Sequence, residues 1–263
     1  MTVFAIDFAR LYRDHMAAAG KPKTREDWDE RAGKMKQGQE KGIYTTALMG
    51  RMDFSDCDSL LDVGCGVGTV ALSAAPHLDR IYGLDFSPRM LALLTENARS
   101  KGYSNIYPIT RAWEDDWSDV PVCDIVVASR SSVVTDMADA LEKLNSKARR
   151  RVYLTSLVGG YFIDPGILAA ANRQRMPLPD YLYIVNILYR MGIHPRLDYI
   201  ESENRLAGKK DFTQFSRKVG AILGELNPQE AERLKAWYDA DPERARSGGD
   251  PFRWAVVSWE KSI

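Results

Sequence analysis

Two acids and three glycines are the residues of this sequence best placed to do chemistry. Asp62 follows the apolar run Leu60-Leu61 and precedes Gly64, Gly66 and Gly68, which stand at alternate positions. Asp85 closes a second apolar run, Gly83-Leu84, about 20 residues on, a separation that dinucleotide-binding folds share. A buried strand that stops in glycines lets backbone amides come close to a ligand. An acid at the tip of the next strand can accept hydrogen bonds from the hydroxyls of a ribose. Together they predict a site for a nucleoside-bearing cofactor. The glycine spacing lacks the four-residue gap and the Lys-Ser/Thr of a phosphate loop, and it closes one residue short of Gly-x-Gly-x-x-Gly. A cofactor without phosphate fits it better. Asp62 has two readings: a partner for a cationic group of the ligand, or a turn-stabilising acid bonded to backbone amides.

Strands and helices must hold these residues in place. Apolar runs predict strands at Ser59–Val63, Arg80–Asp85, Asn105–Ile109, Asp124–Ala128 and Val152–Leu157. Helical spacing appears at Thr69–Ala75, Pro88–Lys101, Val134–Leu144 and Tyr181–Met191. Ser87 and Pro88 suit the N-cap and first turn of their helix. Lys147, Arg149, Arg150 and Arg151 are expected to close the helix at Val134–Leu144 and complement its C-terminus. This alternation implies a parallel sheet covered on both faces, so the fold class is α/β, doubly wound. Arg196–Ile200 and Phe252–Trp259 supply two further strands, making seven. Residues 203–249 between them form a helical insertion, with patterns at Phe212–Leu223 and Pro228–Tyr238. Residues 56–202 with 250–263 are the core of one domain, and 1–55 are a helical leader with segments at 3–19, Trp28–Lys36 and Tyr44–Met52. That leader either packs across a face of the sheet or closes over the cofactor.

Composition narrows the function classes. The 263 residues carry 36 basic and 36 acidic side chains and are 45% hydrophobic. Zero net charge gives no general pull toward nucleic acid or anionic membrane. Three cysteines without metal spacing suit a reducing cytoplasm, and no metal site is expected. The charged N-terminal segment matches neither a signal peptide nor a membrane span.

The segments Leu61-Asp62-Val63-Gly64-Cys65-Gly66-Val67-Gly68 and Gly83-Leu84-Asp85-Phe86-Ser87-Pro88 closely resemble the Rossmann-like S-adenosylmethionine-dependent methyltransferases. The resemblance extends more faintly over residues 56 to 160. It implies that Gly64, Cys65 and Gly66 lie against the amino-acid part of the cofactor, with Asp62 near its ammonium. It further implies that Asp85 holds both ribose hydroxyls, and that Phe86 and Ser87 border the adenine. Ala112 and Trp113 match the position flanking the adenine from the other side, although the family often has an acid where Arg111 stands. Ser129 and Arg130 would face the methyl group. The last strand would be antiparallel.

The acceptor is less legible. Ser129-Arg130-Ser131-Ser132 stands where amino-methylating nucleic-acid enzymes carry Asn/Asp-Pro-Pro-Tyr, so a small-molecule acceptor leads. The alternatives are a tRNA or rRNA methyltransferase, a non-catalytic S-adenosylmethionine-binding protein, and a nicotinamide-dependent oxidoreductase. Candidate catalytic residues are Arg130, Tyr44 and His15. Each also has a plain structural reading as a turn anchor, a packing residue or a polar helix edge.

Overall fold

A computed structural model of the chain describes residues 2–20, 23–32, 42–209 and 211–261. Its strands are β1 (Ser59–Val63), β2 (Arg80–Asp85), β3 (Ile106–Thr110), β4 (Cys123–Ala128), β5 (Ala148–Leu157), β6 (Arg196–Ser202) and β7 (Phe252–Glu260). They form one sheet in the order β3-β2-β1-β4-β5-β7-β6. Strands β1 to β5 pair in parallel, and β7 runs antiparallel to both β5 and β6. The expected seven-stranded doubly wound sheet is therefore present. The chain builds outward from β1 to β3 and then crosses to β4 on the other side of β1. This switch opens a crevice above the carboxyl ends of β1 and β4.

Every residue of β1, and all of β4 but Asp124, is buried, because helices cover both faces. Alternate residues feed two cores. Leu61, Val63 and Val126 pack beneath α1 (Phe8–Ala19), α6 (Met137–Lys147) and α8 (Tyr181–Arg190). Leu60, Ile125 and Val127 pack against α3 (Ile43–Met49), α4 (Thr69–Ala74) and α5 (Pro88–Ser100). Helix α2 (Arg25–Ala32) lies on α5 through Trp28, Ala32 and Met90. Residues 33–36 of the helix expected at Trp28–Lys36 lie outside the described residues.

Several boundaries differ from expectation, each for a local reason. The first helix begins at Phe8, because the Asp7 side chain caps it by accepting from the Arg10 amide at 2.9 Å. Helix α6 begins at Met137 and not Val134, because Asp136 accepts from the amides of Ala138 and Asp139. Of the four basic residues expected to close α6, only Lys147 does so. Arg149, Arg150 and Arg151 lie in β5, where Arg149 reaches Asp124 at 3.3 Å and Arg151 reaches Asp53 at 3.0 Å. Asp164 and Pro165 start an additional helix, α7 (Pro165–Ala170). Residues 203–249 contain α9 (Phe212–Leu223), α10 (Pro228–Ala240) and α11 (Pro242–Arg246). They share a third core with α7, built on Ile167, Leu168, Phe215, Val219 and Leu234.

Candidate cofactor and acceptor site

The glycine turn leads from β1 into α4. Gly64 and Gly66 have φ of 67° and 54°, a left-handed backbone that strains any residue with a Cβ. Their surroundings differ. A Cβ on Gly64 would overlap Ser131, whose hydroxyl donates to the Val63 carbonyl at 2.7 Å. A Cβ on Gly66 would meet nothing within 4 Å. Gly64 thus admits the loop after β4, while Gly66 faces the open crevice. Cys65 is buried between them. Gly68 packs against Leu94 of α5.

Two acids converge under this turn. Asp85 is 6% exposed, and its oxygens accept from the Ser87 and Gly66 amides, both at 2.9 Å. Burial pushes its carboxyl up, the amides of Ser87, Gly66 and Phe86 oppose that, and Asp29 adds to it. Asp62 is 2% exposed and accepts from the Ala71 amide at 3.0 Å. Burial pushes it up to about 7, against the Ala71 amide and with the charge of Asp85 adding. The backbone-bonding reading of Asp62 is therefore realised, and the acid also lies beside Asp85. Among the described residues no basic side chain forms an ion pair with either. Two buried carboxylates with amide partners and no cation form an environment that a cationic ligand would complete. A sulfonium bearing an ammonium and a ribose diol suits that pair of acceptors, and the open face of Gly66 leaves room for it.

The wall beside β2 and β3 is largely self-satisfied. Ser87 is fully buried; its hydroxyl oxygen accepts from the Met90 amide at 3.1 Å and its hydrogen goes to Asp29 of α2. Phe86 is half-buried. The Ala112 amide donates to Asp115 at 2.7 Å, and the Trp113 indole N–H donates to the Ser131 carbonyl at 3.2 Å. Trp113 stacks on Trp117 with ring centres 5.4 Å apart. The Ala112 amide and the Trp113 N–H, the groups expected to meet an adenine, are thus already bonded within the protein. What remains is the aromatic surface of Trp113.

The loop after β4 forms the second half of the site. Tyr44, buried on α3, donates to Thr155 at 2.8 Å. Its single proton being spent there, it accepts from Ser129 at 2.9 Å. The Arg130 guanidinium lies 4.3 Å from the Tyr44 ring centre. The Arg130 backbone is left-handed, φ 57°, and its amide donates to Thr155 at 2.8 Å. Burial raises the Tyr44 phenol and disfavours the phenolate, against the hydrogen bonds with Ser129 and Thr155 and the charge of Arg130. Arg130 lines a pocket with Tyr12, Met16, Ser156, Phe162 and Trp254. His15 does not line it: one ring nitrogen lies 2.9 Å from the Pro177 carbonyl and the other 3.0 Å from the Tyr183 hydroxyl. A carbonyl only accepts, so Nε2 carries the proton in the neutral ring and Nδ1 accepts from Tyr183. Asp29 and Thr155 join the site without having been foreseen, since each is brought there from a distant segment and belongs to no local motif.

Residues 60–152 match a family profile described as a methyltransferase domain. An uncharacterized protein of Haemophilus influenzae is 35% identical, over 98% of this chain and 98% of its own. Coclaurine N-methyltransferase, solved with N-methylheliamine and S-adenosylhomocysteine, superposes with a TM-score of 0.55 at 12% identity, covering 98% of this chain and 96% of that one. Magnesium protoporphyrin IX methyltransferase of Synechocystis, solved with S-adenosylhomocysteine, gives 0.50 at 13% identity, covering 97% and 100%. With the profile lying on the strands that build the glycine turn, the chain belongs to the Rossmann-like S-adenosylmethionine-dependent methyltransferases.

Proposed function

We propose that the protein transfers the methyl group of S-adenosylmethionine to a small molecule bound in the pocket beyond β4 and β5. The observation that carries this reading is the mostly apolar lining that gathers around Arg130 in that pocket. Tyr12 and Met16 of α1, Leu178 and Pro179 before α8, and Phe162 wall it around Arg130. A walled cleft with a few polar groups suits a small ligand better than a polymer.

The cofactor brings a methyl on a sulfonium, an electrophile that an in-line nucleophile displaces to leave a thioether. Asp85 would hold the ribose hydroxyls, Asp62 would face the ammonium, and Gly66 would border the amino-acid portion. Phe86 and Trp113 would flank the adenine. The chain's contribution is then chiefly positioning, worth roughly 7–11 kcal/mol of a barrier when the geometry is right. The apolar walls exclude water and strengthen the remaining electrostatics. Among the described residues lining the pocket, none is Asp, Glu or His. The acceptor would therefore enter with its nucleophilic electron pair already available, as a neutral amine, a thiolate or an ionised oxygen does.

The test is transfer of labelled methyl from S-adenosylmethionine into a cell extract separated by size. Label in the low-molecular-mass fraction is the expected result. Label confined to RNA would replace this reading with the nucleic-acid one.

A further inference from the structure

Four cations from three separate parts of the chain lie within reach of one another, and one of them, Arg130, lines the pocket. Arg130 follows β4. Arg205 belongs to the 203–249 segment and lies 4.7 Å from the centre of the Phe162 ring, which lines the same pocket as Arg130. Arg31 and Lys23, at the two ends of the α2 region, flank Trp28 at 5.1 Å and 5.8 Å. Arg205 is close enough to Arg31 and Arg130 for both to repel it, and Lys23 is repelled by Arg31 and Arg205. Among the described residues Arg31, Arg130 and Arg205 form no ion pair with an acid, and Asp27 is the acid that acts on Lys23. Desolvation first, then Arg31 and Arg130, lower Arg205 to about 10. The arginine remains charged at neutral pH.

Bringing like charges together at low dielectric costs energy that no ion pair among the described residues offsets for Arg31, Arg130 or Arg205. Arg130 adds a left-handed backbone to that cost. All four pack on aromatic faces, which hold the cations without neutralising them. An anion between them would offset the repulsion.

Resting on the small-molecule reading above, we propose that the acceptor is an anion, a carboxylate- or phosphate-bearing small molecule whose charge is clamped between Arg130 and Arg205. Guanidinium forks suit both oxyanions. Arg31 and Lys23 would supply a second layer of positive charge from the leader, so α2 and the 203–249 segment would meet over the bound anion. Arg130 stands among the walls of Phe162, Met16 and Leu178, whereas RNA would need a basic stripe across the surface.

Calorimetry on the full chain, with and without S-adenosylhomocysteine, tests this using phenyl phosphate, benzoate, neutral benzamide and a short single-stranded RNA. The two anions should bind and benzamide should not. Arg205→Gln should weaken the anions about tenfold or more, the loss expected for a charge-assisted hydrogen bond. Arg205→Lys should restore part of that. The surface variant Arg196→Gln should change nothing, and S-adenosylhomocysteine affinity should be the same in all three. Equal binding of benzamide and benzoate, or no effect of Arg205→Gln, would overturn the proposal. So would RNA binding more tightly than either anion with a steep salt dependence. Failure of the wild type to bind S-adenosylhomocysteine would count against the methyl-transfer reading, and the series run without it would still decide the anion.

Discussion

At the scale of single residues, Gly64 and Gly66 separate packing from binding. Gly66→Ala costs about 1 kcal/mol of stability from its backbone alone and puts a methyl into the crevice, so cofactor affinity should fall while the melting curve moves little. Gly64→Ala collides with Ser131 and should destabilise more, as chemical denaturation of the two variants would report. Asp85→Asn leaves one of two backbone amides facing an NH2 group. It should cost roughly 1–3 kcal/mol of stability as well as cofactor binding. Asp62 gives a pH signature. Its folded value of about 7 exceeds the ordinary 3.8, so the folded state holds a proton that the unfolded state has released. Stability of the cofactor-free protein should therefore fall as pH rises from 3.8 to about 7 and level off above that. Asp62→Asn should flatten the slope in denaturation curves taken across that range. Binding a cation beside Asp62 should release a proton near neutrality, detectable as a dependence of binding heat on buffer ionisation. Asp62, Asp85 and the glycines were legible because they lie in two short motifs. Asp29 on Ser87 and Tyr44 on Ser129 were not, since those contacts span 58 and 85 residues and leave no local pattern.

At the scale of elements, helix α1 is tied to the loop after β4 by an exposed ion pair, Arg13 to Asp136 at 3.1 Å, and by a buried hydrogen bond. The Tyr12 hydroxyl donates to the Val134 carbonyl at 2.9 Å inside the core. Tyr12→Phe leaves that carbonyl without its partner and should cost about 1–3 kcal/mol, measurable by denaturant titration. Because Tyr12 also lines the pocket, acceptor affinity should fall with it. The central strands β1 and β4 were legible because burial on both faces makes them continuous apolar runs. The start of β5 was misread. Arg149 to Arg151 resemble a charged helix end, yet their partners Asp124 and Asp53 stand on neighbouring segments and hold them extended. Helix α7 escaped notice because its six residues are too few to show a period.

At the scale of the whole molecule, the 203–249 helices and α7 have a core of their own, joined to the last strand by Asp164. That carboxylate accepts from Arg244 at 3.0 Å and from the Asp250 amide at 2.8 Å. Asp164→Ala should raise amide exchange across 212–246 while leaving the sheet protected. Zero net charge was legible and concealed the cationic cluster, because composition counts charges and the fold decides which ones meet. The sheet order, the crevice and the acid pair all bear on a single ligand. Calorimetric titration with S-adenosylmethionine and, separately, NAD, on wild type and Asp85→Ala, tests that most directly. Micromolar binding of S-adenosylmethionine, lost in the variant, with no heat from NAD, is the predicted result. No binding by the wild type, or binding of NAD in its place, would contradict the account.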